Sequence, residues 1–229
     1  MVNKSTNTIG YDAEAYAHRE KGYSPDPIRN ATWDLVKADL GGYVLDAGSG
    51  EGGWIKRLKQ SPKIQKIIST DIFDYGASNI SEVEFHLADL SFAKLPCPDD
   101  YLDWVFALEV LEHLANPRNF VKQAARSLKK NGKFVITTPC NDSIRAKANF
   151  CVRGYFSHFS ESEYRGVGHI TPITEVDLRR MSSEAGFEDV TFYYPISGRI
   201  PKTTSTWSSV SPFLHGKLYA DTLFAILTK

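Results

Sequence analysis

Three carboxylates stand where a cofactor could be held. Asp46 precedes a glycine-rich stretch, Gly48-Ser49-Gly50-Glu51-Gly52-Gly53; Asp71 closes the strand-like stretch Ile64–Thr70; Asp89 follows Val83–Leu87. Glycines let a backbone turn tightly and approach a ligand with no Cβ in the way. The helix start that follows offers unsatisfied N–H groups and the positive end of a dipole. Carboxylates accept hydrogen bonds from sugar hydroxyls and amino groups. Together these residues point to a nucleotide-type cofactor. A second group could do acid–base work. Glu109, Glu112 and His113 are spaced E-x-x-E-H, and His169 lies in Gly168-His169-Ile170-Thr171-Pro172. Histidine suits proton transfer near neutral pH. A helix through E-x-x-E-H would put its three side chains on one face.

Positioning such groups takes alternating strands and helices. Asp26-Pro27 reads as a helix start, Ile28, Ala31, Leu35 and Val36 recur at helical spacing, and Gly41-Gly42 is the stop. Strands are expected at Tyr43–Asp46, Ile64–Thr70, Val83–Leu87, Trp104–Leu108 and Lys133–Thr138, with a helix over Gly53–Gln60. Asn116-Pro117 should cap a helix carrying Phe120, Val121, Ala124 and Leu128, ended by Asn131-Gly132. Thr174 and Asp177 suggest a capping box for a helix through Leu178, Met181 and Ala185, stopped by Gly186. Val190–Tyr194 and Thr222–Thr228 read as late strands that could pair antiparallel. The alternation predicts an α/β domain with a mostly parallel sheet covered on both faces. Residues 139–172 break the rhythm: long, aromatic and poorly periodic, as functional loops often are. Tyr11–Arg19 could form a short helix, and residues 1–10 are expected to be mobile.

At 229 residues the chain suits one domain: an N-terminal helical cap (1–40), a cofactor-binding half (41–139) and a substrate-side half (140–229). Lys+Arg and Asp+Glu both total 27, so there is no basic excess of the kind a large nucleic-acid footprint shows, and no nucleic-acid partner is expected. No transmembrane run or secretory leader is legible. Cys97, Cys140 and Cys151 read as reduced thiols of a cytoplasmic protein. The composition says nothing about oligomeric state.

Gly48, Gly50 and Gly53 match the dinucleotide fingerprint G-x-G-x-x-G, which alone is weak evidence. Asp71 would serve NAD as well, through the ribose. Asp46 and Asp89 have no fixed place in the NAD pattern. At this point the chain resembles the class I S-adenosylmethionine-dependent methyltransferases. The resemblance runs through Val44–Gly53, Ser69-Thr70-Asp71, His86–Leu90, Val105–His113 and Gly132–Pro139. Phe106–Leu114 looks like the branch holding ubiquinone-biosynthesis O-methyltransferases and many small-molecule and glycan methyltransferases. Residues 140–220 match no named pattern.

The resemblance implies a Rossmann-like, doubly wound sheet of seven strands, mostly parallel, with one antiparallel strand near an edge. It implies S-adenosyl-L-methionine as cofactor. Asp46 with Gly48 and Gly50 would hold the amino-acid part, Asp71 with Ile72 the ribose, Asp89 with Leu90 the adenine, and Glu109 would line the methionine end. A residue of Tyr11–Arg19 would close over the cofactor. The expected reaction is methyl transfer to a small-molecule or glycan-type acceptor, at oxygen. His113 is the first candidate base and His169 the second. Local structural roles compete for each: Asp89 as an Asx-turn residue, Asp46 as a cap on local backbone, His113 as a loop anchor. No metal is assigned, although Glu109, Glu112, His113 and His169 would together suit a divalent cation. The rival functions are a non-catalytic S-adenosylmethionine-binding partner module and a nicotinamide-dependent oxidoreductase. His158 sits among Phe156, Phe159 and Tyr164, and with Phe150 and Tyr155 these rings could pack the lobe or form a lid. Trp207, Val210, Phe213 and Leu214 are expected to form one lobe's own core, with a surface contact as the alternative. His18, His86 and His215 carry no argument for chemistry.

Overall fold

A computed structural model describes residues 24–201 and 203–229. The expectations for residues 1–19, His18 among them, lie outside the described residues. In chain order the elements are α1 (Asp26–Val36), β1 (Gly42–Ala47), α2 (Gly53–Leu58), β2 (Ile64–Asp71), β3 (Val83–Leu87), β4 (Leu102–Leu108), α3 (Pro117–Ser127), β5 (Leu128–Pro139), α4 (Ile144–Arg153), α5 (Glu161–Gly166), α6 (Glu175–Ala185), β6 (Asp189–Tyr193), α7 (Trp207–Val210) and β7 (Thr222–Thr228). The strands form one seven-stranded sheet in the order β3-β2-β1-β4-β5-β7-β6. Pairings among β1 to β5 are parallel. β7 runs antiparallel to both of its neighbours, β5 and β6, as the pairing of the two late strands implied.

Alternation along the central strands splits the core in two. Leu45, Ile68, Val105, Ala107, Phe134 and Ile136 face one side, where α3 and α6 contribute Phe120, Val121, Ala124, Leu178 and Met181. Val44, Ile67, Trp104, Phe106, Leu108 and Val135 face the other, covered by Val36 of α1 and by Trp54, Ile55 and Leu58 of α2. Both faces of β4 are therefore dry, which is why it reads as an unbroken apolar run. This is a doubly wound sheet of seven strands, mostly parallel, with one antiparallel strand near an edge, as the resemblance implied.

Several boundaries differ from the sequence expectation. α1 ends at Val36 rather than at Gly41. α3 stops at Ser127, because Leu128 is drawn into the sheet opposite Leu102, and Asn131 makes the following turn at φ +65°. The stretch 139–172 is not irregular throughout. Ser143 and Ser160 cap α4 and α5 with their side chains, accepting from Ala146 and Glu163 N–H. Trp207, Val210, Phe213 and Leu214 do not form a lobe core. Val210 and Phe213 are 66% and 85% exposed, while Trp207 packs on Tyr219.

Candidate cofactor and acceptor site

The carboxyl ends of β1, β2 and β4 lie level, with Ala47 opposite Thr70 and Asp46 opposite both Ser69 and Phe106. The chain leaves β1 toward β2 and β3 on one side, then crosses to β4 and β5 on the other. Ligands of such sheets bind in the crevice at this switch point. Every chemistry-bearing group singled out above except Asp89 and Leu90 sits on or beside these ends or on the loop docked against them.

The glycine turn is pinned from below. Gly48 and Ser49 N–H both donate to the Thr70 carbonyl, at 2.8 and 3.2 Å. Gly50 N–H donates to Asp71 Oδ2 at 2.8 Å, and Ile72 N–H to Asp71 Oδ1 at 2.7 Å. Asp71 thus ties the turn to β2; with Phe73 N–H as a further donor, three of its roughly four acceptor sites are used and one is left for a ligand hydroxyl. Burial pushes its carboxyl upward, against the pull of these N–H groups. Gly48 has φ +76°, and a Cβ there would stand 2.5 Å from Val110 Cγ2. Only glycine lets the turn close over the strand ends.

Asp46 is 2% exposed, and its Oδ2 has no partner among the described residues. Burial first, then the neighbouring Asp71 charge, raise its carboxyl to about 8. Glu109 follows β4 at φ +57°, a left-handed conformation that non-glycine residues rarely adopt. Its N–H is held by the carbonyl and the Oγ1 of Thr137, each at 3.0 Å. Its Oε1 is sealed and without a described partner, and burial raises its carboxyl to about 7. Ser49 Oγ and Thr70 Oγ1 are likewise buried and unpartnered among the described residues. A buried polar atom left unpaired costs about 1–3 kcal/mol, so several at one strand edge call for a ligand rich in donors. An ammonium group and ribose hydroxyls answer that description, so the residues present fit S-adenosylmethionine.

Asp89 behaves differently. Its Oδ1 accepts from Ser91 N–H at 2.8 Å, making the Asx turn that competed with an adenine role. Leu90 beside it is buried. Ser91 Oγ in turn accepts from Ala115 N–H, tying this turn to the loop after β4.

The E-x-x-E-H stretch is not one helix, so the shared helical face that its spacing would allow does not form. Glu109 is left-handed, Val110 has φ −125°, and only Leu111–His113 form a short 3-10 turn. The backbone of Glu109 is still bonded to β5, so no helix can begin there. The side chains converge nonetheless. Glu112 is fully buried; its Oε2 accepts from Thr138 Oγ1 at 3.0 Å, and Oε1 has no described partner. Burial and the adjacent Glu109 hold its carboxyl well above the usual range. His169 is brought in because Ile170 and Thr171 N–H donate to the Glu112 carbonyl, at 2.9 and 3.0 Å, and Thr171 Oγ1 donates to Leu114 O at 2.7 Å. The rings of His113 and His169 stand 4.9 Å apart, nearly edge to face. His113 Nδ1 donates to Gly168 O and His169 Nδ1 to His158 O. Burial, then His169, lower His113 to about 4, so it is neutral at pH 7. Phe159 packs on His169, and Phe150 stacks on Phe156. The sequence reading missed Thr137 and Thr138. Their signal was two hydroxyls following the apolar run Phe134–Ile136 of β5.

The methyltransferase domain family matches residues 16–191 of the chain. A probable S-adenosylmethionine-dependent methyltransferase of Mycobacterium tuberculosis is 32% identical over 100 residues, 42% of this chain and 35% of that protein. The chain thus spans about a third of that relative's length. The ubiquinone/menaquinone biosynthesis C-methyltransferase UbiE of Rickettsia rickettsii is 23% identical over 198 residues, 74% of this chain and 77% of that one. Among solved structures, a SAM-dependent methyltransferase from Archaeoglobus fulgidus superposes with TM-score 0.65 at 18% identity, covering 95% of this chain and all of that one.

Proposed function

The chain belongs to the class I S-adenosylmethionine-dependent methyltransferases, and from that premise we propose that it methylates a hydroxyl oxygen of a small-molecule or glycan-type acceptor. One observation carries the proposal: the imidazoles of His113 and His169 stand 4.9 Å apart just past the carboxyl end of β4, and burial keeps His113 neutral at pH 7. S-adenosylmethionine supplies, when bound, a methyl group on a sulfonium and a thioether leaving group. The protein's share is alignment, exclusion of water and handling of the hydroxyl proton.

In this proposal Asp46 and Glu109 receive the cationic amino-acid end of the cofactor, the Gly48–Gly50 turn packs against it, and Asp71 with the Ile72 backbone takes the ribose. Asp89 and Leu90 form the adenine edge, with Asp89 also holding its own turn. His113 and His169 face the acceptor. A hydroxyl that approaches them loses its proton toward imidazole as its oxygen bonds to the methyl carbon. The packing of Phe159 on His169, beside the stacked pair Phe150 and Phe156, supports an acceptor with an apolar ring or sugar face. The three free cysteines fit a reducing, cytoplasmic setting.

The experiment is incubation with carbon-13-methyl-labelled S-adenosylmethionine and a panel of phenols, hydroxy-lipids and sugars. Products are read by mass spectrometry and by the chemical shift of the labelled methyl. An oxygen-bound methyl is expected. A carbon-bound methyl, the reaction in the UbiE name, would overturn the oxygen assignment. Cofactor binding without transfer to any acceptor would favour the non-catalytic module.

A further inference from the structure

We infer that Glu112, His113 and His169 form a binding site for a divalent transition-series cation on the acceptor side of the cofactor cleft. One ligand atom from each of these residues lies within 4.8 Å of those of the other two. Ligands held ~2.0–2.2 Å from a shared zinc-like ion sit ~3.4 Å apart, so a small inward movement of the three side chains completes the set.

Three independent features make this more than proximity. First, both imidazoles are committed to one tautomer. The partners of His113 Nδ1 and His169 Nδ1 are the carbonyl oxygens of Gly168 and His158, at 3.2 and 2.7 Å. Carbonyls only accept, so each Nδ1 carries the proton and each lone pair is on Nε2. A backbone carbonyl bonded to the far nitrogen is the arrangement that orients metal-bound histidines. Second, Glu112 is fully buried, with one oxygen taken by Thr138 Oγ1 and the other unpartnered among the described residues. A buried carboxylate oxygen with nothing to bind costs stability, and a cation removes that cost. Third, the fold spends hydrogen bonds on holding the three together across 57 residues of chain. The Glu112 carbonyl takes two N–H groups from the residues after His169, and Thr171 Oγ1 bonds Leu114 O. Glu109, which the spacing had grouped with these ligands, falls outside the set.

Two imidazoles and a carboxylate suit manganese, iron, cobalt or zinc better than calcium or magnesium. Three protein ligands leave positions open for an acceptor oxygen; because the ion would take up both Nε2 lone pairs, in the metal-loaded chain it would acidify the acceptor hydroxyl in place of an imidazole base. That catalytic use rests on the oxygen-acceptor proposal above; the existence of the site does not.

The test is titration of Co2+ into the chelator-stripped full chain, read by visible d–d absorption, with calorimetry for stoichiometry. One Co2+ per chain is expected, with a visible band. His169→Ala and Glu112→Gln should each weaken uptake at least tenfold. The first alters a partly exposed loop residue, and the second keeps a carbonyl for Thr138, so neither should unfold the chain. Thermal stabilisation by S-adenosylhomocysteine, measured without metal, checks that each variant is folded. Absence of stoichiometric Co2+ binding, or uptake unchanged in both variants, which would mean an adventitious ion only, would overturn the inference. Loss of the S-adenosylhomocysteine response in the wild-type chain would instead strike the cofactor-site reading, so the two failures are distinguishable.

Discussion

At the scale of single residues, the cofactor edge is held in a costly state. Burial raises the carboxyls of Asp46 and Glu109, to about 8 and about 7, and each has an oxygen that lacks a described partner. The reference value for Asp46 is 3.8 and the folded value about 8. Between those values the unfolded chain gives up its proton and the folded chain keeps it. The contribution of Asp46 is therefore fully present below pH ~4 and is lost as pH rises through about 8. A cationic ligand reverses the preference, since it binds the ionised carboxylates. Affinity for S-adenosylhomocysteine, measured calorimetrically, is expected to rise between pH 6 and 8, by up to ~10-fold per pH unit for each proton released. Asp46→Asn should flatten that rise above pH 7 and also flatten the pH dependence of ligand-free stability. The Asp46, Gly48 and Asp71 positions were legible in sequence because each marks a strand end with an unusual residue type. The Asx turn of Asp89 was legible only as an alternative, because an acidic residue two before a serine fits a turn and a ligand equally well. The left-handed backbone of Glu109 has no sequence signature.

At the scale of elements, caps and strand ends decide what the site can hold. The capping box of Thr174 and Asp177 is complete in both directions, and it starts α6, which packs with α3 over one face of the sheet. Just upstream lies the strap 168–172 that delivers His169. Thr174→Ala should cost about 1 kcal/mol, lowering the melting temperature by ~2–4 °C for a chain of this size. Chemical denaturation should show the same loss without a change of slope. The capping box and the parallel strands were readable because their signals are local and periodic. Spacing alone left open whether the E-x-x-E-H stretch is helical, because it does not say where the Glu109 N–H goes, and it goes to Thr137. α4 and α5 were missed for a related reason. Both are short and largely exposed, so they carry little apolar periodicity, and their serine caps were the only clear signal.

At the scale of the whole molecule, the sheet order sets the chemistry. Reversal of direction at β1 opens a crevice between β1 and β4, and the residues of the glycine turn, Asp71, Glu109 and the histidine pair are gathered there from 122 residues of chain. The first half of that gathering repeats a pattern visible in sequence. The second half depends on a long-range dock, His169 onto the Glu112 loop, which no local rule encodes. Among the described residues, no helix is long and apolar enough to cross a membrane. The most direct measurement is calorimetric titration of S-adenosylhomocysteine into the wild-type chain and into Asp71→Ala, with NAD as the control ligand. One site per chain is expected, with no heat from NAD. The variant should bind at least tenfold more weakly, since it loses a charge-assisted bond worth about 1.5–3 kcal/mol. Equal affinity in the two proteins would contradict the placement of the cofactor at the glycine turn.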